Sequence, residues 1–238
     1  MNIIPQPEPP STVVPWTLRD VMWGLVGFVV WLLLFGLISF FGREWQLPLD
    51  NGLIIVFGEA ILLLPVWYFT IHKYGASWAD LGLRGFRPGA VGLGCGFMVI
   101  SVVFNLGYLS LLRMFDSNIE LQPGLDQIFD KSEFPLAIFL GAAVVAPFVE
   151  EIFFRGFIFS GLRNRWDWKK AALASAGLFA LAHILPTSLL PIFVLGLIFA
   201  FLYQKSGSIW PGILMHMLTN SIAIVMAYAI SQGWKPPA

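Results

Sequence analysis

Charge disappears from this chain for about twenty residues at a time. No charged residue falls between Asp20 and Arg43, or over 88–112. The stretch at about 52–72 is interrupted by Glu59, and that at about 134–162 carries Glu150, Glu151 and Arg155. A final run covers about 207–231. Since roughly 20 apolar residues cross a hydrocarbon core as a helix, each run predicts one membrane span. The 34 residues 171–204 carry no charge, but Pro186 and Pro191 divide them. That length is short for two full crossings and predicts a tight hairpin of two shortish helices. The pattern therefore predicts an all-α fold, a polytopic membrane helix bundle of seven to eight transmembrane helices, eight if the 134–162 run is broken.

Composition agrees and excludes the alternatives. Hydrophobic residues make up 58%, charged residues 12%, and mean hydropathy is +0.78. A soluble domain uses about 25% charged residues to meet water, so a water-exposed globule is excluded. Fourteen basic residues balance 14 acidic ones, which removes a basic nucleic-acid-binding face. The single cysteine, Cys95, excludes an internal disulfide and any multi-cysteine metal cluster. It sits among Gly92, Gly94 and Gly96, whose spacing suits close helix packing, and is expected to be buried and inert. Residues 1–15 hold five prolines and read as a disordered tail, with 16–133 as N-terminal helices and loops. The first apolar run is too long for a signal peptide and no Ala-x-Ala site follows, so it is expected to be a retained helix.

Basic residues orient the bundle. With the N-terminus in the cytoplasm, the inner side receives Arg19, Lys73, Arg84, Arg87, Arg163, Arg165, Lys169, Lys170 and Lys205. The outer side receives Arg43, Arg113, Lys131 and Lys235, so nine stand against four. The longest loop, about 114–133, carries Asp116, Glu120, Asp126, Asp130 and Glu133 and is expected to be a solvated outer cap or lid.

An ionisable group inside a membrane helix is costly, and is by default a candidate for function. Glu151 and Arg155 are spaced i,i+4 with the acid first, the favourable order for an intrahelical ion pair, and read as a structural clamp. Glu150 then points about 100° away without a local partner. His183 precedes the Pro186 turn, and His216 and Asn220 share one face of the last helix. Glu150 lies 13 residues before Arg163, His183 lies 13 after Lys170, and His216 lies 11 after Lys205. At 1.5 Å per residue, all three stand ~17–20 Å from the inner charges, in one layer near mid-membrane. Asn220 is a turn further on. Glu59 is at broadly similar depth: it reads as structural, a supporting partner for Arg155, with lining a water path as the alternative.

A carboxylate, two imidazoles and an amide suit hydrolysis. Glu150 and His183 can polarise a water, and His216 and Asn220 can donate to a developing oxyanion. No serine has a strong nucleophile signature, which favours direct attack by water. A zinc hydrolase with Glu150, His183 and His216 as ligands is the runner-up, although the His-Glu-x-x-His signature is absent. A proton relay or transporter would be better supported by inverted repeats, which are not evident. A non-proteolytic immunity or scaffold protein, keeping the same cluster for stability, is a further alternative.

These residues resemble a known family. Glu150-Glu151-Ile-Phe-Phe-Arg155, Phe179-Ala-Leu-Ala-His183 and His216-Met-Leu-Thr-Asn220 are similar, in order, to the motifs of the CAAX-protease and bacteriocin-processing intramembrane proteases, prokaryotic branch. Leu195 to Ala200 with Ser206 to Pro211 resembles that family's third conserved stretch, and Ala79 to Arg84 its short upstream element. The resemblance implies a catalytic core at 134–231 and a glutamic endopeptidase in a prokaryotic plasma membrane. Glu150 and His183 would activate water there, His216 and Asn220 would form the oxyanion site, and Glu151 and Arg155 would support it. It implies no cofactor, and as partner a membrane-associated or lipidated peptide or protein, including a prenylated CAAX-like one.

Overall fold

The computed structural model describes residues 13–45, 50–129, 132 and 134–234. Most of the Pro-rich tail (1–12), and Asp130, Lys131, Glu133 and Lys235, lie outside the described residues, as does the side chain of Arg43.

Among the described residues the regular structure is helical. Seven principal helices follow in chain order: α1 (Leu18–Glu44), α2 (Asn51–His72), α3 (Gly89–Arg113), α4 (Pro135–Leu162), α5 (Trp168–Ala182), α6 (Leu189–Ser206) and α7 (Trp210–Ser231). Six spans, built on every helix but α5, are long and apolar enough to cross a bilayer, and the chain is an integral membrane protein. The run at 134–162 is one continuous helix, so the eighth span is not formed. The predicted hairpin is α5–α6, turned at Pro186–Ser188. With 15 residues, α5 reaches about 22 Å, short of the ~30 Å hydrocarbon core.

Polar side chains begin and end these helices where backbone groups would otherwise be orphaned. Asp50 caps α2 through Gly52 N and Leu53 N (2.8 and 3.2 Å). Asp167 caps α5 through Lys169 N and Lys170 N (3.0 and 3.2 Å). Gly207, at φ +72°, stops α6 in the left-handed conformation that glycine adopts without a Cβ penalty.

Hydrogen bonds gather alternate helix ends at the two ends of the bundle. At one end, buried Asp20 accepts from Lys73 Nζ (2.5 Å) and Tyr74 Oη (2.7 Å), joining the start of α1 to the end of α2. Asn164, just past α4, exchanges hydrogen bonds with the Val14 backbone and donates to Trp16 O. Gly82 and Arg84 offer their carbonyls to Ile209 N (2.9 Å) and Ser208 Oγ (2.6 Å) in the α6–α7 turn. At the other end, Asp50 accepts from Ser132 Oγ, and Asn51 donates to Ile128 O. The 114–129 loop is seated on the α5–α6 turn, with Thr187 and Ser188 both donating to Leu121 O.

Helix α4 runs through the centre. Its span is 50% buried, against 11% for the peripheral α3. Phe153, Phe154, Phe157 and Phe159 of α4 lie in the main core, together with Phe179 of α5 and Trp16. The expectations for the α3 glycines need correction. A Cβ at Gly94 would stand 2.8 Å from Met215 Cγ, so that glycine does admit a neighbour, whereas nothing lies within 4 Å of a Cβ at Gly92 or Gly96. Cys95, expected to be buried, is exposed. The cause is the peripheral position of α3, which turns one face to the bundle and leaves the rest to the surroundings.

Candidate active site

Two stretches of α4 open from α-helical to wider π-helical turns, at Gly141–Val145 and Ile152–Phe159, and these flank the Glu150–Glu151 pair. The first adjoins Pro147, which has no N–H to give and crowds the preceding turn. Ala146 N there bonds five residues back to Gly141 O. In the same register, the partner of Ala142 O would be the missing N–H of Pro147, and that carbonyl instead accepts from Asn220 Nδ2 at 3.0 Å. In the second stretch, Ser175 Oγ donates to Phe154 O (2.8 Å), Ser160 Oγ to Arg155 O (3.2 Å) and Trp16 Nε1 to Phe157 O (3.0 Å). Backbone widening thus supplies acceptors by which neighbouring segments hold α4.

Glu151 and Arg155 form the predicted ion pair, Nη1 to Oε1 at 2.6 Å, with side chains 1% and 0% exposed. Arg155 also donates from Nη2 to Gly196 O (3.2 Å). Its guanidinium lies 4.3 Å from the Phe179 ring centroid and 5.3 Å from that of Phe199. The planar cation is therefore held by charge, carbonyl and aromatic faces together. Small residues make room for it. A Cβ at Gly196 would come within 2.9 Å of Ala176 Cβ and 3.3 Å of Arg155 Nη2, and one at Gly212 within 3.2 Å of Glu151 Oε2.

His216 lies between the two glutamates. Its Nδ1 is 3.2 Å from Glu151 Oε1 and its Nε2 is 3.6 Å from Glu150 Oε2, beyond direct hydrogen-bond reach. Its ring stacks on Phe199 at 5.1 Å. A carboxylate accepts, so Nδ1 carries the hydrogen, and Nε2 donates only when the ring holds its second proton. His183 directly follows the last residue of α5. Its Nδ1 donates to Phe179 O at 2.8 Å, because a carbonyl can only accept, and that leaves the lone pair on Nε2. The next residue, Ile184, has φ +53°, a strained conformation for a β-branched side chain.

A cavity of about 100 Å³ opens where α1, α2, α4 and α5 meet. Glu150 and His183 line it, with Phe28, Trp31, Phe154 and Glu59. Mid-helix Glu150 and helix-terminal His183, 33 residues apart in sequence, thus face one space. His216 adjoins Glu150 from α7, while Asn220 is engaged with the α4 backbone at Ala142. Glu59 does not pair with Arg155; it lines the water-sized space, and its Oε2 is buried without a hydrogen-bond partner. The sequence signal for it was the charge itself, in an apolar helix. Among the described residues no three of His, Cys, Asp and Glu stand together as a ready metal-ligand set.

The upstream element Ala79–Arg84 docks directly onto these parts. Leu81 is fully buried, its carbonyl 2.7 Å from where a Cβ on Gly156 would stand, and Gly82 (φ +89°) packs on Tyr203 and Ile209. Residues 132–222, which include all the motif residues from Glu150 to Asn220, match the family described as Type II CAAX prenyl endopeptidase Rce1-like. The matched segment begins just before α4 and ends within α7, so the similarity spans the helices that carry Glu150, His183, His216 and Asn220. A Bacillus subtilis (strain 168) protein named "Putative membrane peptidase YdiL" is 35% identical to this chain over 92 residues. That alignment covers 39% of this chain and 37% of the relative's length. No solved structure matches the chain. The family match falls on the part of the chain that carries the motifs, and both matches support its resemblance to CAAX-type membrane peptidases.

Proposed function

We propose that the protein is an intramembrane glutamic endopeptidase acting on a membrane-associated or lipidated peptide. The observation that carries this reading is the shared cavity of Glu150 and His183 at the level of mid-α4. Water there donates one hydrogen to the Glu150 carboxylate and the other to His183 Nε2, and its oxygen attacks the scissile carbonyl carbon. Glu150 takes the proton and returns it to the leaving amine as the C–N bond breaks. His216, carrying its second proton, donates from Nε2 to the oxyanion, its charge held by the two carboxylates within 3.6 Å. Asn220 assists from the neighbouring turn, with one amide hydrogen on Ala142 O and one to give. Glu151 and Arg155 hold the helices that carry these groups. No step in this scheme needs a metal.

The nine inner basic residues named from the sequence belong to the bundle end marked by the Asp20–Lys73 and Asn164–Trp16 contacts. Basic loops tend to remain in the cytoplasm, which supports a cytoplasmic N-terminus, and the similarity to a bacterial relative supports a prokaryotic plasma membrane.

The test is cleavage of a peptide library, prenylated CAAX peptides included, by purified protein in liposomes. Glu150→Ala is expected to lower kcat by about 100-fold or more while the protein stays folded. Cleavage is also expected to survive chelation. Wild-type rates in a folded Glu150→Ala variant would remove the mechanism.

A further inference from the structure

Glu59 of α2 faces the same cavity as Glu150 and His183, and the geometry points to a use for it. Its Oε2 is buried without a hydrogen-bond partner, and so is Oε2 of Glu150. A buried carboxyl oxygen is costly to leave unsatisfied, and one facing a space that admits water finds its donors there. The cavity, about 100 Å³, has room for more than one water. Trp31 of α1 donates from Nε1 to Gly58 O at 2.6 Å, which fixes the α2 backbone one residue before Glu59. The other α1 residues on the cavity, Phe28 and Leu32, are apolar, so the groups able to hold water there are Glu59, Glu150 and His183.

We infer that Glu59 is a positioning residue that anchors the cavity's water from the α2 side. The inference rests on the hydrolase reading of Glu150. The attacking water has two hydrogens, which Glu150 and His183 accept. A second water, donating to Glu59, holds the first in line and replaces it after each turnover. Glu59 neither gains nor loses a proton in this role, so an amide, whose oxygen still accepts, can stand in for it.

The experiment compares Glu59→Gln and Glu59→Leu with wild type in liposomes, using a peptide the wild type cleaves. Glu59→Gln is expected to keep kcat within about threefold. Glu59→Leu is expected to lose about ten- to 100-fold in kcat with KM unchanged, as misplacement of a reacting group does. A second arm needs no substrate: thermal midpoints of Glu59→Leu, Glu150→Leu and the double variant form a cycle. Shared water makes their shifts non-additive. Wild-type kcat in Glu59→Leu, equal losses in the Gln and Leu variants, or additive midpoint shifts would each overturn the inference. A folded Glu150→Gln protein that cleaves at the wild-type rate would overturn the hydrolase reading instead. The midpoint cycle would then still decide whether the two carboxyl groups share water.

Discussion

Glu150 and Glu151 are neighbours in sequence, yet the fold gives them opposite circumstances. Glu151 meets Arg155 at 2.6 Å and His216 at 3.2 Å, whereas Glu150 keeps a buried oxygen with no hydrogen bond. Removing one member of a fully buried ion pair leaves the other charge stranded, at a cost of about 3–5 kcal/mol. Arg155→Ala and Glu151→Ala are therefore expected to depress thermal stability in detergent by that order, while Glu150→Leu raises it or leaves it unchanged. A Glu150→Leu variant as unstable as Arg155→Ala would show that the carboxylate is structural. Ile184 offers a second residue-level measurement. Its left-handed backbone costs roughly 1–2 kcal/mol and the residue is 72% exposed, so Ile184→Gly is expected to raise the midpoint. The ion pair and the separate circumstances of Glu150 were legible in the sequence because i,i+4 spacing is local geometry. For Glu59 only the depth was legible: the sequence left a partner for Arg155 and the wall of a water path both open, since what it faces is set by how α1 and α2 pack on α4, and periodicity does not encode that.

At the level of elements, the uncharged runs predicted each long helix, because hydrocarbon thickness leaves little choice of length. The widened turns of α4 were not legible. They arise where Pro147 withholds a donor and where Ser160, Ser175 and Trp16 compete for carbonyls, and two of those partners come from distant segments. The glycines show the same division. Gly52 abuts the backbone of α4, a Cβ there standing 2.5 Å from Ile138 N, while a Cβ at Gly96 would meet nothing within 4 Å. Gly52→Ala is expected to destabilise the α2–α4 contact severely, whereas Gly96→Ala changes stability by less than about 1 kcal/mol. Paired melting curves of the two variants check this. The sequence named Gly92, Gly94 and Gly96 alike; only the neighbouring helix distinguishes them.

For the whole molecule, the site is assembled from four helices whose ends are fastened at two levels, with α4 as the shared partner. Depth along each helix could be counted from the flanking charges, which is why Glu150, His183 and His216 were expected in one layer. Rotation about each helix could not be counted, and it is rotation that sends His216 toward both glutamates and Asn220 toward Ala142. Trp16 illustrates the fastening. It lies at the edge of the Pro-rich segment, yet it is fully buried and bonded to Phe157 O at 3.0 Å. Trp16→Ala is expected to cost about 3–5 kcal/mol, read as a lower melting point in detergent.

Cys95 is the chain's one thiol, and it looks outward from α3. A bilayer-soluble maleimide should therefore mark this protein at a single address, while a membrane-impermeant one applied from either side should leave it unmarked. A nitroxide attached there reports the immersion depth of α3 by its accessibility to oxygen against a water-soluble quencher. The bundle thus carries its own ruler, on a helix that leaves Glu150, His183 and His216 undisturbed.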